Sequence, residues 1–380
     1  MCPKKIYYLS YYGIPGDNRS YALSCVNKMN YIIQILNKLG YQVEIISFST
    51  CETKFFNKGE YKKLSDNVYL KTFTCLNNKN SIFRFLSRKS IEYSFIKYLY
   101  KNLDSDSIVI TYHSLGYHKL YKKIKNKVKL FVLEVEEIYT DVSNVKLANK
   151  DQELESINNA DAYIFPTELM NNKFNKLNKK YSIIHGVYNF NYKKNKIISD
   201  NKIHVVYAGT FDLNKGGAVE AIRSSRYLDE RYHLHIIGFG NDYDTSIIKN
   251  EIQQIQKSTS CIVTYDGLKT GEDFNNFLSG CHIGLSTQII EGDFNNTSFP
   301  SKILTYLSCG LQVVSSKIPV VEQSGINNCV VYYEHQTSKS IADAVLSVDV
   351  INSRIMIEKN LKKLENEFIE TLKEVLNEDR

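Results

Sequence analysis

The chain has 380 residues, a formal net charge of +7 and a hydrophobic fraction of 43%, which indicate a globular protein. This length exceeds what one hydrophobic core usually serves, so two domains are predicted. No apolar run approaches the roughly 20 residues of a membrane-spanning helix. The 8 Cys are scattered without a Cys-x-x-Cys pair, which excludes a chelating or redox motif of that kind and predicts reduced thiols in the cytoplasm.

The positive charge lies in the first half of the sequence. Residues 1–200 carry 31 Lys and Arg against 18 Asp and Glu, whereas residues 201–380 carry 17 against 23. Nucleic acid is not expected as a partner, because no recognition motif accompanies the basic residues. Two interpretations stay open: peripheral contact with an anionic membrane at its inner face, and a solvated Lys-rich surface.

The start of the chain predicts a β-loop-α-β unit with parallel strands. Ligands of such sheets gather at the carboxyl ends of the strands, so Gly16, Asn18 and Arg19 are predicted to line a binding site, with Asn18 and Arg19 as acceptor contacts. The loop lacks a Gly-x-Gly-x-x-Gly pattern, which argues against an NAD oxidoreductase. The elements are a strand at 5–12, a loop at 13–18, a helix at 19–39 and a strand at 41–48.

Acidic residues follow a predicted strand at 129–135, where the chain reads Glu134-Val-Glu136-Glu137. Carboxylates this close repel one another, and burial should raise the pKa of at least one of them. Glu136 and Glu137 are therefore candidate catalytic groups, and a solvated acidic loop is the alternative. His113 follows the preceding strand and is a candidate acceptor contact, with a structural hydrogen-bonding role as the alternative.

The second half repeats the order of strand, Gly-containing loop and helix. A strand at 203–210 leads through Lys215 and two glycines into a helix at 218–227, an arrangement that suits a phosphate group. Further elements are a strand and turn at 234–240, strands at 261–267 and 283–287, and a helix at 271–279.

A short helix is predicted next, and the residues at both of its ends are typical of helix termini. Pro300 suits a first helical turn, Ser298 is predicted to cap it from outside, and Gly310 is predicted to end it. The N-terminus of such a helix carries partial positive charge, to which Ser301 and Lys302 add a hydroxyl group and a cation. The sequence therefore predicts an anion site there.

The run Phe-Pro-Ser-Lys-Ile-Leu-x-Tyr-Leu-x-x-Gly-x-x-Val-Val at 299–314 resembles the donor-site helix of family 4 glycosyltransferases, also described as glycosyl transferases group 1. The resemblance implies the α/β GT-B fold, in which two Rossmann-like domains with parallel sheets face each other across a cleft. The implied organisation is an acceptor-side domain at 1–188, a linker at 189–202, a donor domain at 203–350, and an amphipathic helix at 351–380 that packs back on the first domain.

The same resemblance implies transfer of a sugar from a nucleotide donor, UDP-linked, to a hydroxyl group of a glycan or lipid-linked acceptor in bacterial surface polysaccharide synthesis. It implies retention of anomeric configuration and no cofactor or metal, and the sequence has no Asp-x-Asp next to a donor loop. Lys215 and Lys302 would bear the charge of the leaving diphosphate. Glu136 and Glu137 would stand in place of the His-Asp pair of the family.

Three positions depart from the family pattern. Thr297 and Thr305 replace two glutamates, and Thr210 replaces an arginine. Two alternatives therefore stay open: a UDP-sugar 2-epimerase of the same fold, and a catalytically degenerate subunit that binds a nucleotide sugar. The oligomeric state is open. The donor contacts that the resemblance implies are Gly16, Gly209, Thr210, Lys215, Gly238, Asp266, Gly267, Leu268, Thr297, Ser298, Phe299, Pro300, Ser301, Lys302 and Thr305.

Overall fold

The structure of the protein is a computed structural model. It describes residues 4–51, 56–76, 81–142, 150–192, 200–211, 213, 217–288, 297–350 and 353–377. The chain divides into two compact units. Unit 1 comprises Met1–Pro166, Met170–Val187 and Phe368–Arg380, and unit 2 comprises Thr167–Leu169 and Tyr188–Glu367.

The described part of unit 1 contains an eight-stranded sheet. Its strands are β1 (Lys5–Ser10), β2 (Gln42–Ser47), β4 (Tyr61–Ser65), β5 (Val68–Lys71), β7 (Ile108–Tyr112), β8 (Leu130–Glu134), β9 (Ala162–Phe165) and β10 (Tyr181–Ile183), and a separate pair is formed by β3 (Phe56–Asn57) and β6 (Cys75–Leu76). The strand order is β10-β9-β8-β7-β1-β2-β5-β4, and only β4 and β5 pair antiparallel in it. The helices are α1 (Leu23–Lys38), α2 (Ser81–Asn102), α3 (His118–Ile124), α4 (Tyr139–Val142), α5 (Lys150–Asn158) and α6 (Glu168–Phe174).

The first helix and the residue that was expected to open it differ from the prediction. Helix α1 begins at Leu23, whereas Arg19 forms an isolated bridge with Cys51. The Arg19 side chain is 2% exposed and donates to the carbonyl oxygens of Ser49 and Phe73 at 3.0 and 2.9 Å. A buried cation needs such partners, and Arg19 therefore has a structural role, because it links the backbone segments at Ser49 and Phe73. Its predicted role as an acceptor contact is therefore corrected.

Unit 2 contains a six-stranded sheet in which all neighbouring strands are parallel. Its strands are β11 (Ile203–Thr210), β12 (Tyr232–Phe239), β13 (Ile262–Tyr265), β14 (Ile283–Ser286), β15 (Gln312–Ser316) and β16 (Val330–Tyr333). The order is β13-β12-β11-β14-β15-β16. The helices are α7 (Gly217–Ser224), α8 (Asp242–Ile255), α9 (Gly271–Ser279), α10 (Ser301–Ser308), α11 (Pro319–Glu322) and α12 (Ser338–Leu346).

Helix α10 is the short helix of the predicted anion site. It begins at Ser301, with Pro300 as the N-cap residue. The hydroxyl oxygen of Ser298 is buried and has no hydrogen-bond partner among the described residues, so the predicted Ser298 cap is wrong. Gly310 has φ of +79°, and its N–H donates to the carbonyl oxygen of Leu307 at 2.9 Å. The prediction that Gly310 ends the helix is confirmed, since glycine adopts this left-handed conformation without strain.

Tyr306 anchors α10 to the sheet. Its side chain is fully buried, and its hydroxyl accepts from the N–H of Ala208 at 2.8 Å and donates to the carbonyl oxygen of Leu285 at 3.2 Å. Gly284 makes room for the ring, because a Cβ at that position would lie 2.3 Å from it. One phenol group therefore fixes the helix against both β11 and β14.

The last helix, α13 (Ser353–Leu376), carries the predicted apolar stripe. Its residues from Phe368 onward belong to unit 1, where Oγ1 of Thr371 lies 2.6 Å from Oγ of Ser182. Among the described helices, none combines the length and the apolar character needed to cross a bilayer. The buried apolar residues of α13 are Ile357, Leu361, Leu364, Phe368, Leu372, Val375 and Leu376.

Candidate active site

The carboxyl ends of β11 and β12 lie close together because both carry glycine. A Cβ on Gly238 would lie 1.8 Å from the carbonyl oxygen of Gly209. Gly238 has φ of +141°, and its N–H donates to the carbonyl oxygen of Gly267 at 3.1 Å. Glycine is therefore required at position 238, where the backbone after β13 also joins this edge of the sheet.

Helix α10 brings a cation to the same edge. The Nζ atom of Lys302 lies 4.3 Å from the centroid of the Tyr207 ring. It is also 3.2 Å from the point that a Cβ on Gly209 would occupy. Ser301 and Lys302 are the first two residues of α10, and the first N–H groups of a helix carry partial positive charge. The ammonium group and the helix N-terminus together favour an anion here.

These groups line a pocket of about 270 Å³ that belongs wholly to unit 2. The volume is near the lower end of the roughly 300–1,000 Å³ of small-molecule sites. The lining residues are Ala208, Gly209, Thr210, Ile237, Gly238, Phe239, Leu268, Lys269, Phe274, Ser301, Lys302, Thr305 and Tyr306.

Many of the predicted donor contacts meet in this pocket. Lys215 lies outside the described residues. The predicted contacts that line the pocket are Gly209, Thr210, Gly238, Leu268, Ser301, Lys302 and Thr305. The predicted contacts that are described but do not line it are Gly16, Asp266, Gly267, Thr297, Ser298, Phe299 and Pro300.

The two threonines at the family's glutamate positions differ in their surroundings. The Thr297 side chain is 3% exposed and does not line the pocket, and its role as a donor contact stays a prediction. Thr305 lines the pocket, and its hydroxyl donates to the carbonyl oxygen of Ser301 at 3.2 Å. The carboxylate of Asp266 is hydrogen-bonded to His235 at 3.0 Å and to Thr264 at 2.8 Å. Its side chain therefore binds these two residues and does not line the pocket.

Six of the residues that line the pocket were not predicted, and Phe239, Lys269 and Phe274 are three of them. Phe239 is 54% exposed and forms an apolar wall with Phe274. Lys269 adds a second ammonium group to the lining, and its Nζ lies 4.6 Å from the centroid of the Phe277 ring. Phe239 is the last residue of β12, Lys269 lies in the loop between β13 and α9, and Phe274 lies in the first turn of α9. These positions border the carboxyl edge of a parallel sheet, which is the signal that could have identified them.

Unit 1 holds a buried carboxyl group at the end of β8. Glu134 is fully buried, and the hydroxyl of Tyr8 donates to its Oε2. Burial and the charge of Glu136 raise the pKa of Glu134 to about 8, while Lys28 opposes the rise. This confirms that at least one carboxyl of the acidic run has a raised pKa. Glu136 is 21% exposed and lies 2.5 Å from Nζ of Lys28, so it is held in an ion pair.

We expect Glu134→Gln to reduce the pH dependence of stability. The folded pKa of about 8 exceeds the ordinary value of 4.5, so the folded state holds its proton longer than the unfolded state. Stability from this group is therefore full below pH 4.5 and is lost as pH rises towards 8, by a few kcal/mol at about 1.4 kcal/mol per pKa unit. Urea unfolding at pH 5, 6.5 and 8 measures this change.

The control for that measurement is Glu92→Gln on the exposed surface of α2, where the side chain is 40% exposed. The control variant should follow the parent protein at all three pH values. An equal loss of stability between pH 5 and 8 in the parent and in Glu134→Gln would contradict the raised pKa.

Of the three predicted acceptor contacts, Arg19 is described above, and His113 and Asn18 also lie in unit 1. His113 is 1% exposed, and its Nε2 lies 2.9 Å from Oε1 of Glu153. Because Glu153 also accepts from the N–H groups of Tyr139 and Thr140, His113 is part of a buried network, which corrects its predicted contact with an acceptor. Asn18 lies in the opening turn with φ of +52°, and its acceptor role stays a prediction. The catalytic roles of Glu136 and Glu137 also stay predictions.

Comparison with known families gives one match. Residues 202–348 match the model of the family described as glycosyl transferases group 1. This range includes the pocket of unit 2, and the match confirms the resemblance drawn from residues 203–316. No match was found among curated proteins.

Solved structures resemble the chain over nearly its whole length. Sucrose-phosphate synthase from Thermosynechococcus elongatus is 14% identical, with 97% of each chain covered and a TM-score of 0.65. The trehalose-6-phosphate protein from E. coli, bound with UDP-2-fluoro glucose, is 12% identical, with 98% of each chain covered and a TM-score of 0.66. Anabaena HepE in complex with UDP is 14% identical, with 98% of each chain covered and a TM-score of 0.59. These similarities confirm the predicted fold.

Proposed function

Since residues 202–348 carry a glycosyl transferases group 1 domain within a GT-B fold, we propose that this nucleotide-sugar-dependent glycosyltransferase uses a UDP-linked donor. The observation that carries the proposal is the position of Lys302, at the N-terminus of α10 and against Gly209 at the end of β11. A cation and helix N–H groups at one end of a pocket match a diphosphate.

The diphosphate binds at the edge formed by Gly209, Gly238 and the first turn of α10. Glycines there let the phosphate oxygens approach the backbone N–H groups without side chains between them. Lys302 and Lys269 both line the pocket and balance the two negative charges. Lys269 takes the part that the family resemblance gives to an arginine at the position of Thr210.

The uracil base and ribose occupy the side of the pocket formed by Phe239, Leu268 and Phe274. Phe239 and Leu268 are 54% and 58% exposed, so their apolar surfaces are available to a planar ring. Two of the similar solved structures contain UDP or a UDP sugar, which supports a uridine donor.

Transfer breaks the bond between the anomeric carbon and the diphosphate oxygen, and forms a bond from an acceptor hydroxyl oxygen to that carbon. UDP leaves, and the hydroxyl proton is released. Negative charge grows on the leaving diphosphate, where Lys302 and the α10 N–H groups stabilise it. We propose that transfer needs no metal ion, because these groups provide the positive charge that the leaving group needs, and that it retains the anomeric configuration, as the family resemblance implies.

The acceptor is a hydroxyl group of a glycan or a lipid-linked saccharide in surface polysaccharide synthesis. The basic first half of the sequence, with 31 Lys and Arg in residues 1–200, supports a cytoplasmic enzyme that works at an anionic membrane surface. Phosphorylated sugars belong in any acceptor screen, since one similar structure is a trehalose-phosphate synthase in complex with glucose-6-phosphate.

A donor screen by thermal unfolding tests the proposal. We expect UDP-linked sugars to raise Tm by about 5 °C at concentrations far above their Kd, whereas GDP-, ADP- and CMP-linked sugars raise it less. A preference for another nucleotide would overturn the uridine assignment. A matched variant is Phe239→Ala in the apolar wall of the pocket. It should reduce the rise in Tm for every uridine ligand, but the nucleotide that gives the largest rise in Tm should stay the same.

Release of UDP then separates the transferase from its alternatives. A transferase should release UDP faster when a saccharide acceptor is added. A 2-epimerase would change the sugar nucleotide with no acceptor present, and a binding subunit would show the Tm shift without any turnover. Either of those two results would replace the proposed function.

A further inference from the structure

A second polar cluster in unit 2 lies towards the amino-terminal ends of the strands. His204 of β11 and His233 of β12 are partners in the strand register, and His235 is two residues further along β12. Side chains at such positions share one face of the sheet. His204 precedes Ala208, a pocket residue of β11, by four residues, or roughly 13 Å along the strand, and His235 precedes Ile237, a pocket residue of β12, by two residues, or roughly 7 Å.

Each of the three histidines also makes a hydrogen bond to a partner that is not one of the three. Nε2 of His204 lies 2.9 Å from Oδ1 of Asp200, and Nδ1 of His235 lies 3.0 Å from Oδ2 of Asp266. Nε2 of His233 lies 3.1 Å from Oγ1 of Thr264, and the same oxygen is 3.3 Å from Nδ1 of His235. These outward partners are the kind that orient histidine ligands around a metal ion.

The outward partners decide which ring nitrogens carry protons. Carboxylates accept hydrogen bonds, so the nitrogens that face Asp200 and Asp266 are the protonated ones. The Thr264 hydroxyl donates to Asp266 at 2.8 Å, which leaves its oxygen to accept from Nε2 of His233. In the neutral state each ring therefore keeps a lone pair on its other nitrogen.

Two of these lone pairs face each other. Nδ1 of His204 and Nε2 of His235 are 2.9 Å apart. Two neutral acceptors at this distance repel, so a cation must lie between them, either a shared proton or a metal ion. One nitrogen from each of His204, His233 and His235 lies within 4.8 Å of the others. The rings of His233 and His235 are stacked with centroids 3.9 Å apart, so they turn relative to each other when all three nitrogens bind one ion.

We propose that His204, His233 and His235 bind a divalent first-row transition metal ion, of which Zn²⁺ suits three imidazoles best. Zinc binds imidazole nitrogen at about 2.0–2.1 Å and often leaves its fourth position to water. His204 and His235 are buried and His233 is half-buried, so the ion approaches from the side of His233. The ion ties the start of β11 to β12 and has no part in the transfer reaction.

His282 provides an internal contrast. Its ring stacks on that of His204 with centroids 5.8 Å apart, but its Nδ1 accepts the backbone N–H of His204 at 3.0 Å. His282 therefore lies beside the three histidines, but the lone pair of its Nδ1 is already used by the backbone N–H of His204. A role in metal binding therefore predicts different effects at His235 and at His282.

The test uses the full chain without a histidine tag, stripped with a chelator and dialysed into metal-free buffer. With ZnSO₄ added, we expect one Zn²⁺ retained per chain by elemental analysis and a Tm rise of roughly 5–10 °C at zinc far above its Kd. Co²⁺ should give the visible absorption of a tetrahedral nitrogen site. A chain that retains no Zn²⁺ and shows no Tm change holds a shared proton, and the proposal is then overturned.

The variants assign the site. His235→Asn keeps a donor towards Asp266 but removes the inward nitrogen, so Zn²⁺ affinity should fall at least about 100-fold. His282→Asn should retain zinc, and His335→Asn, at an exposed position outside the cluster, should behave as the parent protein. Zinc bound equally well by His235→Asn would place the ion elsewhere and overturn the assignment. If a variant fails to fold, zinc retention and the Tm change of the parent protein still decide whether the chain binds zinc.

Discussion

Lys302→Met is expected to lower kcat/KM for UDP-sugar turnover by about 10²–10³-fold. The Lys302 ammonium group lies over the Tyr207 ring at 4.3 Å from its centroid and against Gly209, where the proposed diphosphate leaves. Loss of one preorganised group that stabilises developing charge typically has an effect of this size. Methionine keeps an unbranched apolar stem, so the packing on Tyr207 is largely preserved. Steady-state kinetics of UDP release measures the change.

Two matched variants separate charge from packing. Lys302→Arg keeps a cation and should recover part of the lost rate, with the shortfall due to the different shape of guanidinium. Lys257→Met removes an exposed lysine after α8 that does not line the pocket, so the rate should stay unchanged. If Lys302→Met retains more than about a third of kcat/KM, the ammonium group does not serve the leaving group.

Gly238→Ala should destabilise unit 2 by about 3 kcal/mol or more and abolish donor binding. The new Cβ would lie 1.8 Å from the carbonyl oxygen of Gly209, a backbone atom that cannot move without separating β11 from β12. The φ of +141° adds strain for any residue with a side chain. Chemical unfolding gives the loss of free energy, and the thermal shift with UDP gives the loss of binding.

Gly271→Ala is the control, because Gly271 also has positive φ, at +56°, but a Cβ there meets nothing within 4 Å. The cost should be about 1–2 kcal/mol, as for a single left-handed residue. Equal losses in the two variants would mean that the backbone conformation, and not the close approach to Gly209, makes glycine necessary at position 238.

The sequence predicted those features that depend on neighbours along the chain. The parallel strands, the apolar stripe of α13 and the glycine that ends α10 follow from periodicity and local conformational preference. The raised pKa of Glu134 follows from a crowded acidic run at the end of a buried strand. Gly209, Gly238 and Lys302, which line the pocket of unit 2, were predicted as a group because they border such elements.

Features that depend on distant residues were missed. Arg19 looked like the start of a helix because its partners, the carbonyl oxygens of Ser49 and Phe73, are far along the chain. The hydroxyl of Tyr306 meets Ala208 across 98 positions, and no local pattern marks that contact. The histidine cluster combines residues from different strands, so its members are ordinary strand residues until the sheet register is known.

The anchoring of α10 by Tyr306 has a consequence for how this protein diversifies. The phosphate end of the pocket rests on a helix that one buried phenol locks to two strands, so changes there are penalised by loss of stability. The opposite end is formed by exposed side chains such as Phe239 and Leu268, whose replacement costs the fold little. Selection can therefore change how tightly the base is held through a few surface substitutions, while the end of the pocket at the N-terminus of α10 is inherited unchanged.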